Sequence, residues 1–475
     1  MRHLDRPIVL SSLAAALVCA LGAAGAARAQ DPPPPVDRDL PALSGFSVVP
    51  FFFDPPGSRS LGMGGTFTAL ADDATAAEAN PAGLTKLSRP EVSIHGRHTE
   101  YDIETLDINA VTSLDLLNRA RNLPGEIRPG TAVGNAFATG TRVRYDPEVT
   151  EASFASYVKP MGDYTFSVYY QRSADFQGED RFEAFDDSRL DFYRARQELD
   201  FLLDTVGVSA AFKAGDMLSI GFSVRFSELS VEAFQDLTIE YRSDAEFAVL
   251  DAGASLADVR ALGIVDEQVL RQTFDDTDTD VTFNVGLIFN PEGRFSVGLV
   301  YKDGGNFEII GDSQDFGCVE VDAADGFRCP PGGDMRTAVN YKVPDFLGLG
   351  FAWRLSDRFR LAADANWISF SDLDIAPAPN PNQGPGVAGQ FEAIDDEIAL
   401  HFGLEYIAFL GSTPLTLRAG VYTDPDRDGI TGIDSDETNY TFGIGTVLME
   451  RFQIDLAAQT SDRAQSGILS MVYRF

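Results

Sequence analysis

The stretch LSIGFSVRFS, residues 218–227, alternates apolar and mostly small polar side chains without a break. Successive side chains of a β-strand point to opposite faces, so this pattern predicts a strand with one apolar face. The same alternation recurs at residues 359–368 and 452–459. The chain is therefore predicted to be a succession of β-strands from about residue 90 to its end.

The connections between these strands alternate between short and long. Short turns lie near residues 159–163, 213–216, 290–293, 355–357, 410–413 and 449–450, and long polar loops near 103–149, 174–199, 231–278, 304–342, 371–394 and 424–438. The last outer connection, 462–465, is short. Fourteen strands fit between them: 90–102, 150–160, 163–173, 200–213, 216–230, 279–290, 294–303, 343–355, 358–370, 395–409, 414–423, 439–449, 451–461 and 466–475. An even strand count with turns on one side and loops on the other is typical of bacterial outer-membrane barrels.

We therefore predict an all-β membrane fold, a 14-stranded antiparallel transmembrane β-barrel. The sheet must close, because an open edge would leave backbone groups unpaired in lipid. The last strand ends at Phe475, with Leu469, Met471 and Tyr473 on the same face, which resembles the signal that barrel-insertion machinery recognises. A soluble β-sandwich, the alternative, would not need so many outward apolar stripes behind an export signal. Parity places both ends of the barrel on the periplasmic side.

Residues 1–29 are predicted to be a cleaved secretory signal peptide. Arg2 and Arg6 form a basic start, an apolar stretch follows, and Ala27-Arg28-Ala29 fits a cleavage site. An uncleaved anchor helix is the alternative. The predicted divisions after the signal are a Pro-rich lead-in at 30–56, an amino-terminal segment at 57–89 and a barrel at 90–475.

Composition and net charge limit the classes of partner that this chain can bind. The chain has 475 residues, 44% of them hydrophobic, and a formal net charge of −35. Such an acidic balance argues against nucleic acid and against an anionic membrane surface as partners. We expect a monomer surrounded by outer-membrane lipid.

Residues 57–84, GSRSLGMGGTFTALADDATAAEANPAGL, contain few large apolar side chains and cannot form a core of their own. We predict that this segment plugs the barrel lumen from the periplasmic side as a hatch, residues 57–89. Asn80 precedes Pro81, and its side chain can bond backbone that Pro81 leaves irregular; a plain turn is the alternative. The predicted hatch and gating residues are Asp72, Asp73, Asn80, Pro81, Ala82 and Gly83.

Three stretches together resemble a known family. The Gly-rich opening, Ala71-Asp72-Asp73-Ala74 and Asn80-Pro81-Ala82 look like the amino-terminal hatch of the FadL/TodX family, and residues 343–367 and 417–422 resemble two further family signatures. That family consists of outer-membrane channels for long-chain fatty acids and other hydrophobic compounds. The resemblance implies passive uptake, with capture among the outer loops, passage into the lumen and lateral release when the hatch rearranges. The opening at 58–65 is also seen in FadL-like barrels tied to protein secretion, so a secretion-associated or structural protein-binding partner is the alternative.

Candidate ligand contacts fall in the lumen and in one outer loop. Arg225, Lys302 and Arg418 face the predicted lumen, where each could pair with a ligand carboxylate or with Asp364, Glu405, Asp455, Asp72 or Asp73. Residues 256–274 are compatible with a helix in the third long loop. Its apolar face, Val259, Leu262, Val265, Val269 and Leu270, would form either a capture groove or a contact with neighbouring loops.

Two further features concern cross-links and metals. Cys318 and Cys329 are an even pair in an exported chain, which predicts a disulfide rather than a metal site. Asp424, Asp426 and Asp428 match the start of a calcium loop, but the twelfth position is Ser435 rather than Glu. They predict either a Ca²⁺ site or an acidic surface turn, and we expect no other cofactor.

The sequence predicts no enzyme. The mature chain has three histidines, His95, His98 and His401, and the first two fall on opposite faces of one strand. No G-x-S-x-G sequence accompanies them, and no HExxH or P-loop occurs in a credible context. A hydrolase embedded in the barrel is the rival reading.

Overall fold

The computed structural model describes the barrel and the segment before it. The described residues are 36–37, 53, 55–101, 103–105, 143–145, 148–186, 191–240, 266–291, 293–315, 319–322, 326–328, 334–372, 396–424, 437–461 and 464–475. The chain divides into a short amino-terminal unit, Met1–Val36, and a second unit, Asp37–Phe475. A two-residue strand, Val36–Asp37, stands at this division in the sequence. The barrel and the segment before it belong to the second unit.

Sixteen strand segments of the second unit form the barrel wall. They are β1 Glu91–Tyr101, β2 Glu148–Met161, β3 Tyr164–Asp186, β4 Asp191–Lys213, β5 Leu218–Glu240, β6 Asp266–Phe289, β7 Phe295–Lys302, β8 Asn306–Asp315, β9 Asp334–Lys342, β10 Phe346–Ser356, β11 Phe359–Ile368, β12 Glu397–Leu410, β13 Thr413–Asp424, β14 Glu437–Leu448, β15 Phe452–Thr460 and β16 Ala464–Arg474. Because β7 continues into β8 and β9 continues into β10, these segments make fourteen spans. Two small hairpins stand apart, Ile103–Thr105 with Val143–Tyr145 and Val319–Asp322 with Gly326–Arg328.

The sheet closes on itself. Each span pairs antiparallel with its neighbours in the sequence, and β1 pairs with both β2 and the last strand, β16, from Glu91↔Arg474 to Tyr101↔Ala464. A closed sheet leaves no edge without backbone partners, which is the condition for a barrel in lipid. The prediction of a closed 14-stranded antiparallel barrel is confirmed.

The outer face carries an apolar band. Phe222 and Phe226 of β5, Val285 of β6 and Leu349 of β10 are among many large apolar side chains left exposed on that face. Further toward the loops the outward positions become polar, as at Glu228. The inward face holds buried polar residues such as Ser209, Ser223, Asn284 and Thr441. This apolar-out, polar-in alternation suits lipid on the outside of the barrel.

Before the barrel, three short helical turns form the amino-terminal segment. They are α1 Ser58–Gly62, α2 Ala76–Ala79 and a 3₁₀ helix, Pro81–Lys86. Pro81 stands at the first position of the 3₁₀ helix, where a missing N–H costs nothing. In the described residues no helix is both long and apolar enough to span a membrane.

The predicted helix at 256–274 is wrong where the structure describes it. β6 begins at Asp266, so Val269 and Leu270 lie in a strand, and Leu270 pairs with Leu237 of β5. Val259, Leu262 and Val265 lie outside the described residues. The apolar residues have helical spacing, but the segment forms a strand because β5 and β6 continue their ladder of hydrogen bonds far past the apolar band. Pairing with one neighbouring strand satisfies the N–H and C=O groups of every second residue.

Four strands, β3 to β6, run to 23 or 24 residues, between about one and a half and two times the predicted length. Their extended ends, with β8 and β9, surround a buried apolar cluster that includes Phe176, Phe201, Leu229, Phe274 and Phe307. Parts of the predicted loops at 174–199, 231–278 and 304–342 are therefore strand. A transmembrane crossing needs only about ten residues, so the sequence pattern of the membrane band alone does not reveal this extension.

Candidate functional site in the lumen

The interior segment, residues 57–89, lies within the barrel lumen. Its side chains and backbone bond to inward-facing residues on strands around the whole circumference. The contacts include Ser58 Oγ with Ser470 Oγ at 2.8 Å, Gly64 N with Thr441 Oγ1 at 2.9 Å, Thr68 N with Asp364 Oδ2 at 2.9 Å, Ser209 Oγ with Ala77 O at 2.7 Å and Thr85 Oγ1 with Ser219 Oγ at 2.7 Å. Only a segment inside a closed sheet can reach strands as far apart as β4, β11 and β16.

Glycines in the wall make this packing possible. A Cβ added at Gly221 would collide with Ala82 N, one at Gly420 with Gly64 N, and one at Gly298 with Thr68 O. The backbone of the interior segment therefore rests directly on the backbone of the wall. These glycines are a part of the site that the sequence reasoning did not identify, although glycine inside a strand is a known sign of close backbone approach.

An ion-pair network joins the interior segment to one side of the wall. Arg59 of α1 bonds Asp72 and approaches Glu405 at 3.2 Å and Asp73 at 3.8 Å. Arg418 donates to Glu405 at 2.9 Å and to Asp455 at 2.6 Å, and Arg360 lies 3.1 Å from Glu405. Buried charges need such partners, because desolvation of an unpaired charge costs several kcal/mol.

The network occupies Arg418, a predicted ligand contact, with two carboxylates. It also places the predicted gating residues Asp72 and Asp73 beside Arg59. The sequence reasoning named Asp72, Asp73, Glu405 and Asp455 as partners in the lumen but missed Arg59. Arg59 lies in a stretch rich in serine and glycine, and nothing in that stretch indicates that its charge is buried.

Three titratable groups of the interior segment are shifted. Burial raises the pKa of the Asp72 carboxyl, but the positive charges of Arg59, Lys86 and Arg360 outweigh that effect and lower it from 3.8 to about 2. Burial raises the pKa of Asp73. Burial lowers the pKa of Lys86 to about 8, and its Nζ donates to Ala69 O at 2.9 Å and Leu70 O at 2.6 Å. Near neutral pH the segment is therefore held by ionised Asp72 and a largely protonated Lys86.

Asn80 is fully buried at the junction between α2 and the 3₁₀ helix. Its Nδ2 donates to Thr68 O at 2.8 Å and lies 3.4 Å from the carbonyls of Leu287 and Leu299 on the wall. Its Oδ1 accepts from Ala82 N at 3.2 Å. One amide thus holds together two parts of the interior segment and two neighbouring strands, which agrees with the predicted bonding of irregular backbone near Pro81.

Lys302 forms a second link between wall and segment. Its Nζ lies 2.6 Å from Glu78 Oε1, and both side chains are buried. The ammonium also lies 5.1 Å from the centre of the Phe346 ring, which stacks on Phe53 at 6.4 Å. The Oε2 atom of Glu78 has no partner among the described residues. Lys302, predicted to meet a ligand or an acid, thus meets Glu78, an acid that the sequence reasoning had not assigned to it.

Arg225 differs from the other two predicted cations. Its Nε donates to Thr282 Oγ1 at 3.0 Å and an Nη donates to the carbonyl of Asp303, and it makes no ion pair with any described carboxylate. It lines a cavity of about 40 Å³ that Phe53, Leu203 and Phe346 border on the apolar side and that Glu78, Lys302 and Asp303 also line. A cation next to apolar walls is the arrangement that a carboxylate with a hydrocarbon tail requires.

A larger cavity, of about 150 Å³, lies in the lumen above the interior segment. Phe53, Arg97, Arg172, His401 and Tyr422 are among the residues that line it. The Nδ1 atom of His401 donates to Gly64 O at 2.7 Å, and His95 is buried while His98 is on the outer face. The prediction that His95 and His98 occupy opposite faces of one strand is confirmed.

The remaining predictions fall largely outside the described residues. Cys318, Cys329, Asp426 and Asp428 lie there, whereas Asp424 ends β13 and lines the larger cavity. Within the described ranges no group of three His, Cys, Asp or Glu side chains could hold a metal ion. The disulfide and the Ca²⁺ site stay predictions.

Comparison with protein families gives two matches. Residues 197–469 match the family described as outer membrane protein transport protein (OMPP1/FadL/TodX). Residues 47–113 match an uncharacterised family, UPF0164. A UPF0164 protein of Treponema pallidum (strain Nichols) is 53% identical over 55 residues, which cover 10% of this chain and 13% of that protein. That match covers only a small part of either chain's length.

Comparison with solved structures gives the same architecture. A Pseudomonas aeruginosa FadL homologue superposes with a TM-score of 0.58 at 16% identity, covering 90% of this chain and 99% of that one. The P. putida toluene transporter TodX gives 0.54 at 15%, and the Ralstonia pickettii toluene transporter TbuX gives 0.53 at 14%, each covering 89% of this chain and 99% of the other. At sequence identities of 14–16%, the likeness shows a shared fold alone.

Proposed function

This chain belongs to the outer membrane protein transport protein family (OMPP1/FadL/TodX), and we propose that it is a passive channel for hydrophobic small molecules across the outer membrane. The observation that carries this proposal is the buried apolar cluster inside the extended strands. The extended strands enclose buried Phe176, Phe201, Phe274 and Phe307, inside a barrel whose outer surface is also apolar. The free energy of a hydrophobic molecule falls when it moves from water onto such a surface, so transport along this path needs no energy source.

The cargo that we propose is a hydrophobic molecule such as a long-chain fatty acid. Arg225 supports this choice because it lines a cavity that is partly apolar and forms no ion pair with a described carboxylate. A fatty acid would place its carboxylate against Arg225 and its chain along Leu203 and Phe346. Lys302, which lines the same cavity, would add a second positive charge when Glu78 moves away.

The gate that we propose is the interior segment. It fills the lumen below both cavities, and wall bonds hold it at Ser58, Asn80 and Thr85. Displacement of this segment would open the lumen and permit lateral release of cargo through the wall. By the parity of fourteen spans, the segment and the short turns lie on the periplasmic side, and the long connections lie outside.

The test is uptake of radiolabelled oleate by cells that express the wild type, Arg225→Gln, or no barrel. We expect the wild type to exceed barrel-free cells and Arg225→Gln to raise the oleate concentration needed for half-maximal uptake. Arg225→Lys, which keeps the charge, is the matched control and should lie between the two. Heat-modifiable migration on gels verifies that each barrel is folded.

Absence of uptake by a folded wild-type barrel would exclude fatty acid as the cargo. The secretion-associated or structural protein-binding role would then become the preferred one, because the opening at 58–65 resembles that of FadL-like barrels tied to protein secretion. Equal uptake by the wild type and Arg225→Gln would leave the channel but remove the carboxylate site.

A further inference from the structure

Four consecutive hairpin turns form one sector of the barrel end at which the interior segment meets β1. The turns follow β6, β10, β12 and β14. Their strands are neighbours in the wall, because β7 pairs with β10, β11 with β12 and β13 with β14. Since adjacent strands lie about 4.8 Å apart, the strands from β7 to β14 span about 24 Å. We call these turns and the residues beside them the turn sector.

Three arginines lie side by side in the turn sector. Arg354 is opposite Arg360 on one neighbouring strand, and its N–H donates to the carbonyl of Arg294 on the other at 2.7 Å. The three side chains therefore form a row about 10 Å long on one face of the sheet. Arg360 lies 3.1 Å from Glu405 of the ion-pair network in the lumen. The row therefore faces the opening of the lumen rather than the lipid.

Two members of this row have no charged partner. Arg294 and Arg354 are exposed and form no ion pair with any described carboxylate. Asp357 and Glu450, the described acids of the same turns, are exposed and do not pair with them either. Like charges directly opposite one another destabilise a pair of strands. An uncompensated pair of cations, in a chain whose net charge is −35, indicates that the negative partner comes from outside the chain.

The last turn of the sector has a strained backbone. Met449 has φ +52° and Glu450 has φ +60°, and among the described residues they alone have positive φ without being glycine. The other short turns place a glycine at positive φ: Gly162, Gly215, Gly293 and Gly411. A two-residue turn of this kind favours Asn-Gly. Strained backbone of this kind is concentrated at functional sites, so the turn between β14 and β15 points to a function of its side chains.

This turn displays a large apolar side chain to water. The Met449 side chain is 92% exposed and Leu410, at the turn after β12, is 78% exposed. Both values exceed those of every described apolar side chain in the lipid-facing band, which reach 61% at Phe442. Apolar side chains that project from turns, beside unpaired cations, are typical of a contact with another protein.

We propose that the turn sector docks an acidic protein of the periplasm. Its carboxylates would pair with Arg294 and Arg354, and its apolar side chains would cover Leu410 and Met449. Charge complementarity guides the encounter and sets its orientation, and burial of the apolar side chains supplies affinity. A second copy of the barrel does not fit, because two identical arginine rows would repel each other. This inference goes beyond the proposed channel function and does not depend on it.

The test measures binding of an acidic probe to the purified, folded barrel in an uncharged detergent. The probe is a fluorescein-labelled peptide of Leu-Glu-Glu repeats, about 12 residues long, which can extend over about 40 Å. Its dissociation constant is measured by fluorescence anisotropy at one fixed ionic strength, because salt screens exposed charges.

The first variant, Arg294→Ser/Arg354→Ser, removes the two unpaired charges. We expect the dissociation constant to rise about tenfold, which corresponds to the loss of two exposed charge pairs. The matched control is Lys159→Ser/Lys213→Ser, which removes two exposed cations from turns at the same barrel end but outside the turn sector. The control should stay within about twofold of the wild type, although its net charge changes by the same amount.

The second variant, Met449→Asn/Glu450→Gly, removes the apolar side chain and installs the residues that the turn prefers. Because this change relieves strain, weaker binding cannot be attributed to a misfolded barrel. We expect the dissociation constant to rise about fivefold, as the loss of a partly buried methionine would give. Met217→Asn, an exposed methionine before β5, is the control and should bind as the wild type does.

Three results would overturn the proposal. One is no binding of the peptide by the wild-type barrel. Another is an equal loss in the arginine and lysine variants, since binding would then follow net charge rather than the turn sector. The third is displacement of the peptide by micelles that contain phosphatidylglycerol, because this surface would then belong to lipid.

Discussion

At the scale of single residues, the Asn80 side chain bonds two parts of the interior segment and two strands of the wall. Removal of its amide by Asn80→Ala leaves Thr68 O and Ala82 N without that partner inside a buried site. We expect the docking of the interior segment to lose about 1–3 kcal/mol, the cost of leaving buried polar groups unsatisfied. The barrel itself should stay folded, since no strand pairing depends on this side chain.

Trypsin measures this loss through its cleavage sites at Arg59 and Lys86, followed by mass spectrometry. Asn80→Ala should be cleaved there much faster than the wild type. Asn290→Ala, the same chemical change in an exposed turn, is the control and should behave like the wild type. Equal resistance of the Asn80→Ala barrel would show that this amide does not hold the segment.

The second prediction at this scale concerns acid. The pKa of Asp72 is about 2 when the segment is docked and 3.8 in the ordinary state. A released segment therefore binds the proton more readily, so docking stability is complete above about pH 4 and declines as the pH falls toward 2. Asp72→Asn has no proton to bind there, and its docking should depend less on pH in this window.

Pepsin, which is active at low pH, can report this difference as the cleavage rate within residues 57–89. A free peptide of the same sequence corrects for the pH dependence of the protease. The ratio of the cleavage rate of the wild-type barrel to that of the free peptide should rise as the pH is lowered from 4 to 2. A flat ratio for the wild type would mean that the Arg59–Asp72 contact contributes nothing to docking.

The alternation of the sequence located Arg225, Lys302 and Arg418 on the inner face of the wall, but it could not choose their partners. Arg418 meets Asp455, 37 positions along the chain, and Lys302 meets Glu78, which is 224 positions away. Such contacts depend on the shear of the closed sheet and on how deep the interior segment lies. Neither quantity follows from a local pattern.

At the scale of elements, wall glycines decide whether the interior segment can dock. We expect Gly221→Ala to expel the segment, because the added Cβ would occupy the place of Ala82 N, while the barrel still forms. Gly467→Ala is the matched control, since its Cβ would meet nothing nearer than 3.8 Å. Trypsin cleavage at Lys86 measures the difference. Full protection in the Gly221→Ala barrel would contradict the direct backbone contact.

Strand positions within the membrane band were predictable, and their outer ends were not. The band has a strict apolar period because lipid contacts every second residue, as at Phe222 and Phe226. Beyond it, both faces of β6 turn polar at Asp275–Asp280, so the sequence resembles a loop although it forms part of the wall. The same acids accept backbone N–H groups of β8 where regular pairing is interrupted, which only the pairing register reveals.

At the scale of the whole molecule, the closed antiparallel sheet fixes which connections share one end of the barrel. We expect a cysteine at Ser188, between β3 and β4, to react with an impermeant maleimide on intact cells. A cysteine at Ser412, in the turn between β12 and β13, should react only after the outer membrane is opened. Both are made in the Cys318→Ser/Cys329→Ser background. The reverse labelling pattern would invert the barrel and place the interior segment outside.

The central claim is that the interior segment gates a lumen that carries hydrophobic molecules. Its most direct test locks both ends of the segment with disulfides at Ser58→Cys/Ser470→Cys and Thr85→Cys/Ser219→Cys, where the native hydroxyls lie 2.8 Å and 2.7 Å apart. Oleate uptake by cells is then measured before and after reduction. The account predicts no uptake above barrel-free cells when the segment is locked and uptake near the parent rate after reduction. Equal uptake in both states would contradict it.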